Sequence, residues 1–140
     1  MRRGRGLVEY DLHPRGANVD MALARLEQIV SAARASGPSL FAVITGYGSS
    51  GGTSLIKDGV LAACRRYRAQ NHIRGFLDGE FAGDVFSSEC LAFPDSSQIP
   101  PPYRRSPHPG IVFIAVCHQP IPRKRNEEDS LSARIRVVGR

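Results

Sequence analysis

The sequence predicts an α/β domain, on three observations. Two apolar runs, Leu40 to Thr45 and Ile111 to Val116, have the length and content of buried strands. Two segments with apolar residues three and four apart, starting near residues 19 and 53, read as amphipathic helices. Strand and helix patterns alternate along the chain, an order that builds a layered sheet with a parallel core.

Each element has its own signal. Leu7 to His13 reads as a strand, with Val8, Tyr10 and Leu12 on one face and Glu9, Asp11 and His13 on the other; Pro14-Arg15-Gly16 ends it. Asn18 suits a helix N-cap and Asp20 the first turn, where a carboxylate meets the positive end of the helix dipole. Val19, Ala22, Leu23, Leu26, Ile29, Val30 and Ala33 form the buried stripe of a helix over 19–35, stopped by Gly37-Pro38. Leu40 to Thr45 has no polar face and is predicted to be covered on both sides. A second helix runs from Thr53 or Ser54 to about Ala69, with Ile56, Val60, Ala63, Cys64 and Tyr67 inward and a helix-weakening Gly59 inside it. Ile73 to Leu77 is a short strand. Residues 79–110, with Pro94, Pro100 to Pro102, Pro107 and Pro109, read as a long irregular loop before the last strand, Ile111 to Val116. Ile135 and Val137 suggest an added edge strand.

The 140 residues fit one domain, and 41% hydrophobic with 23% charged residues argues against global disorder. No run approaches the roughly 20 apolar residues of a bilayer-spanning helix, so no membrane partner is expected. Met-Arg-Arg-Gly-Arg-Gly lacks the apolar core of a secretory signal. Three cysteines without a CxxC pair argue against a disulfide framework or zinc knuckle and predict a reducing, cytoplasmic setting. The expected organisation is a basic arm over 1–6, a domain over 7–118 and a charged tail over 119–140. The net charge of +6 resides in the two ends, because residues 9–122 carry as many acidic as basic side chains. Such ends suit contact with phosphates, or act as solubilising tails.

Two clusters carry chemical potential. Asp11 and His13 share one strand face next to a turn, where a carboxylate can orient an imidazole that acts as general acid or base. Gly46-Tyr47-Gly48-Ser49-Ser50-Gly51-Gly52 joins a buried strand to a helix, and such a loop turns backbone N–H groups toward an anion. Gly52 stands where a Walker A loop requires lysine. The loop matches GxGxxG, yet it follows the second strand and lacks the acidic residue about 20 positions on.

Together, Tyr10-Asp11-Leu12-His13, the helix that follows, and Val43-Ile44-Thr45-Gly46-Tyr47-Gly48 opening a second helix resemble the Smr (small MutS-related) domain family. That family shows a Leu-Asp-x-His-Gly signature, then a helix, then a His/Thr-Gly-x-Gly signature. The resemblance spans about residues 7–78, with 111–116 as the family's last strand. It implies a two-layer βαβαββ sandwich with two helices on a mixed, mostly parallel four-stranded sheet, similar to the C-terminal domain of translation initiation factor 3. It also implies nucleic-acid binding, often with endonuclease activity that nicks DNA or cleaves RNA. Asp11 and His13 would then be catalytic, and Thr45, Gly46 and Gly48 would form the phosphate-binding turn. This chain departs at Pro14, where the family has glycine, at Tyr47, where it commonly has lysine, and at Ser49 and Ser50, near a frequent histidine.

Tyr47 offers a ring on which a base can stack. Lys57 is the cation nearest the glycine loop, and Arg104 with Arg105 forms a basic pair in the proline-rich loop. Arg65, Arg66, Arg68 and Arg74 gather around the end of the second helix, where they complement its dipole. His72, His108 and His118 have no metal-ligand spacing. One carboxylate is a poor basis for a two-metal site, so metal-independent acid–base chemistry is expected, with Mg²⁺ held by Asp11 as the variant. Three rivals remain at this level. One is a nucleic-acid-binding module without catalysis; the second is a small enzyme that binds a nucleotide at the GxGxxG loop. The third is a protein-interaction domain that works through residues 100–109.

Overall fold

The computed structural model describes residues 7–12, 18–46 and 52–119. The elements are β1 (Glu9–Asp11), α1 (Val19–Ser36), β2 (Leu40–Ile44), α2 (Gly52–Ala69), β3 (Ile73–Asp78), α3 (Ser88–Ala92) and β4 (Ile111–Val116). Three 3-10 turns, Gly79–Phe81, Ser96–Gln98 and Pro101–Arg104, lie between β3 and β4. The basic arm, His13, residues 47–51 and the tail from 120 onward, with its suggested edge strand, lie outside the described residues.

Local chemistry explains α1. The Asn18 side chain accepts from the Met21 amide at 2.9 Å, Asp20 sits in the first turn and Arg34 in the last. At the other end the Gly37 amide donates to the Ala33 carbonyl at 3.0 Å. Ala22, Leu26, Ile29, Val30 and Ala33 are buried, as the stripe predicts. The glycine inside α2 also finds a reason. A Cβ at Gly59 would stand 3.2 Å from Val19 Cγ1 and 3.6 Å from Leu23 Cδ1, so this residue is where the two helices approach closely.

The strands order as β1-β2-β4-β3. β1 and β2 are parallel, whereas β4 is antiparallel to both β2 and β3. The sheet is thus mixed, but not mostly parallel. Each helical crossover returns the chain in the same direction, so β1, β2 and β3 run alike. The last described strand, β4, arrives by a different route and inserts between two of them.

The second correction concerns the layers. Phe41, Val43, Val112, Ile114 and Val116 pack with α1 and α2 on one face. Leu40, Ala42, Leu77, Phe113 and Ala115 face the other way and pack with Ala82, Cys90, Phe93 and Ile99. The predicted loop is therefore a third layer with a helix of its own, and the architecture is not a two-layer sandwich with two helices. Its turns are capped locally. Asp78 accepts from the Glu80 amide at 3.0 Å, and Ser87 accepts from the Cys90 amide at 3.1 Å. Its prolines form a 3-10 turn at Pro101–Arg104 rather than an extended polyproline stretch. Covering both faces explains why β2 and β4 have no polar side.

Arg74 fastens this layer to the sheet. The register between β3 and β4 shifts at Ile73/Gly75, which leaves Arg74 as the extra residue of a bulge. Its guanidinium grips the Asp95 carboxylate with two bonds, at 2.6 and 3.2 Å, and donates to the Val116 carbonyl at 2.6 Å. Hydrogen bonding to Asp95 raises Arg74 further above its usual range. The arginine expected at the end of the second helix is thus a clasp between layers.

Burial pushes the Cys64 thiol from 9.0 up to about 12, against a smaller lowering by Arg65. The unfolded thiol ionises first, so the stability linked to this group is complete below about pH 9 and declines as pH rises toward 12. Tyr67, raised by burial and then by the Glu27 carboxylate, acts in the same direction. The unfolding free energy from urea titrations is expected to fall through that alkaline window by up to about 1.4 kcal/mol per pH unit for each group. Cys64→Ala should flatten the fall, and an unchanged slope in that variant would refute the assignment. No helix among the described residues is long and apolar enough to cross a membrane.

Candidate functional site

The parallel pairing of β1 with β2 brings the ends of the two sequence motifs together. Asp11 is the last residue of β1 and stands opposite Ile44, the last residue of β2. Paired residues project from the same face, and neighbouring strands lie about 4.8 Å apart. The Leu12 amide donates to the Ile44 carbonyl at 2.8 Å, which fixes the register beyond the strand end. Tyr10 and buried Leu12 face the helices, so exposed Asp11 faces the covering layer, as the alternation predicts. Arg25 of α1 donates to the Asp11 carbonyl at 3.2 Å and thereby adds a cation at this end of the sheet. Nothing in the sequence spacing marked Arg25.

Thr45 and Gly46 follow directly. Thr45 is 0% exposed, and both its polar groups on this side are engaged. Its amide donates to the Gly110 carbonyl at 2.8 Å and its hydroxyl to the same oxygen at 3.2 Å. The hydroxyl expected in a phosphate turn instead ties the end of β2 to the start of β4. Gly46 has φ of 85°, a left-handed conformation that glycine adopts freely, and it turns the chain out of the sheet. Tyr47, Gly48, Ser49 and Ser50 lie outside the described residues, as does His13. The sequence then leads to α2, whose first turn carries no acidic residue.

The expected cations are placed unevenly. Lys57 pairs with Asp78 at 2.9 Å, with both side chains mostly buried, so its charge is already matched at the end of β3. Arg104 donates to the Ser96 and Ser97 carbonyls at 3.2 and 2.8 Å and braces the covering layer. Arg105 is exposed.

Next to the Asp11–Ile44 pair, the end of the covering layer and the sheet border a shallow cleft of about 490 Å³ that is open to solvent. It is lined by Ile44, Gly46 and the segment from Pro107 to Ile111. His108, in its wall, is held edge-on by Tyr103 at 5.7 Å, and the Tyr103 hydroxyl donates to Glu9. The His108 Nε2 atom is buried without a hydrogen-bond partner. Spacing rules for metal ligands passed over His108; its place between two prolines directly before a buried strand was the available signal. Among the described residues no three His, Cys, Asp or Glu side chains gather in a way that would hold a metal ion.

The chain matches no protein-family model, and no curated protein or solved structure matches it either.

Proposed function

We propose that this chain is an Smr-like nucleic-acid-binding domain that engages a phosphodiester strand at the end of its sheet, beside Asp11 and Gly46. The observation that carries the reading is the meeting of two motif ends on adjacent parallel strands, with Asp11 opposite Ile44. The positive end of α2, with no acidic residue in its first turn, and the left-handed turn at Gly46 suit the strand's phosphates. The basic ends of the chain add sequence-independent attraction.

Cleavage is the second reading, favoured by an exposed carboxylate at that junction. There the glycine-turn amides hold a phosphate, His13 transfers a proton and Asp11 orients it. On RNA the neighbouring 2′-hydroxyl serves as nucleophile, so the chain need only position the strand and move protons. If Mg²⁺ takes part, Asp11 holds it.

Fluorescence anisotropy with labelled single-stranded RNA, single-stranded DNA and duplex tests the first reading. Binding that weakens steeply with added salt is expected, and no binding to any of the three would end it. Incubation with supercoiled plasmid and structured RNA, in Mg²⁺ and in EDTA, tests the second. His13→Ala is expected to slow cleavage about 100-fold or more. A wild-type chain that binds without cutting selects the non-catalytic module.

A further inference from the structure

We infer that the cleft beside Asp11 receives one unstacked nucleobase of the bound strand, so the chain reads single-stranded rather than fully paired nucleic acid. This rests on the strand-binding reading above and adds a base site to it. The cleft, about 490 Å³ and open to solvent, has room for the face of one base but does not enclose a whole ligand. Its walls match a base in kind. Ile44, Ile111, Pro107 and Pro109 offer apolar surface to the flat faces of a ring, and His108 offers a second aromatic ring. Duplex bases keep their faces stacked on one another and cannot enter such a cleft, whereas a looped or single-stranded base can.

Position ties the cleft to the strand rather than to a free small molecule. Gly46 lines the cleft and also makes the left-handed turn assigned above to the phosphates. Asp11 projects from the same sheet face as Ile44, which lines the cleft. A nucleotide seated here places its base against His108 and its phosphate near the turn.

His108 supplies the second, independent observation. Its ring lines the cleft, and its buried Nε2 has no hydrogen-bond partner among the described residues. Tyr103 packs edge-on against His108 and against Phe113 and is tied through its hydroxyl to Glu9, so the wall stands assembled before a ligand arrives. Residues 107–111, which build most of the cleft, come from the end of the covering layer.

The test compares a short mixed-sequence oligonucleotide with an abasic strand of the same length and charge, as RNA and as DNA, by anisotropy at one salt concentration. The intact strand is expected to bind about tenfold or more tightly than the abasic strand. In Pro107→Trp, a substitution at an exposed rim position that fills the cleft, the intact strand should drop to the affinity of the abasic one. His108→Ala should lose most of the same preference. The His108 ring resonances should shift with the intact strand and stay put with the abasic one. Equal affinities for the two strands, or a preference that survives Pro107→Trp, would overturn the base site and leave strand binding standing. Binding of neither strand would overturn both readings. The RNA and DNA arms then tell which sugar the site accepts.

Discussion

Gly79→Ala is expected to destabilise the domain by about 3 kcal/mol, at the upper end of the range for overpacking. A Cβ at this buried position would stand 2.3 Å from the His108 carbonyl oxygen and 2.5 Å from that of Ile111. Neither obstacle is the movable end of a side chain. The His108 amide donates to the Gly79 carbonyl at 3.0 Å, so the two backbones are bonded where the methyl would intrude. Relief requires the segment from His108 to Ile111 to retreat, which opens the cleft and detaches its histidine wall. Urea unfolding measures the loss as a lower midpoint at unchanged slope. A drop under about 0.5 kcal/mol would mean the two segments yield easily, contrary to this packing.

The second large effect is expected at Arg74. Arg74→Ala leaves the Asp95 carboxylate, 6% exposed, without its partner. Breaking a buried ion pair costs about 3–5 kcal/mol. Arg74 itself is 37% exposed, so water enters the vacated space and the expected loss is nearer 2–3 kcal/mol. The pair links β3 to the covering layer, so the loss falls first on residues 79–110, and their amides should exchange with solvent faster than those of α1. The double variant Arg74→Met/Asp95→Leu is expected to recover most of the stability, because it removes both charges together. Equal stability of Arg74→Ala and the parent would show that the clasp contributes nothing.

How much of this was legible in the sequence depended on how local the signals were. α1 was readable from its cap to its stop, because Asn18, the apolar stripe and Gly37 each act within one or two turns. β2 and β4 were readable from length and uniform apolarity. The strand order was not, since no local feature says that β4 will pair with both β2 and β3. The covering layer was least legible. Ala82, Cys90, Phe93 and Ile99 are buried together without any strand or helix period, and what seats them is contact with the sheet. The candidate site divides the same way. Asp11 and Gly46 stood out because motifs mark them, and the sheet brings their strand ends together. Thr45 was marked by the family signature, Lys57 by its place near the glycine loop and Arg104 by its charge, but each is engaged with a protein group that only the fold supplies. His108 gains interest only from its surroundings.

The insertion of β4 between β2 and β3 has a consequence for synthesis. It is the fourth described strand along the chain, yet it occupies an interior place in the sheet. Until residues 111–116 emerge from the ribosome, β2 and β3 have no strand between them and each presents an unpaired edge. Contacts of high sequence separation then close the sheet in one late step, which slows folding relative to a helical domain of this size. A chain elongating at about 5–20 residues per second therefore spends several seconds with α1 and α2 made and nothing complete for them to cover. Residues 111–116 are therefore the piece of chain whose arrival covers the facing edges of β2 and β3.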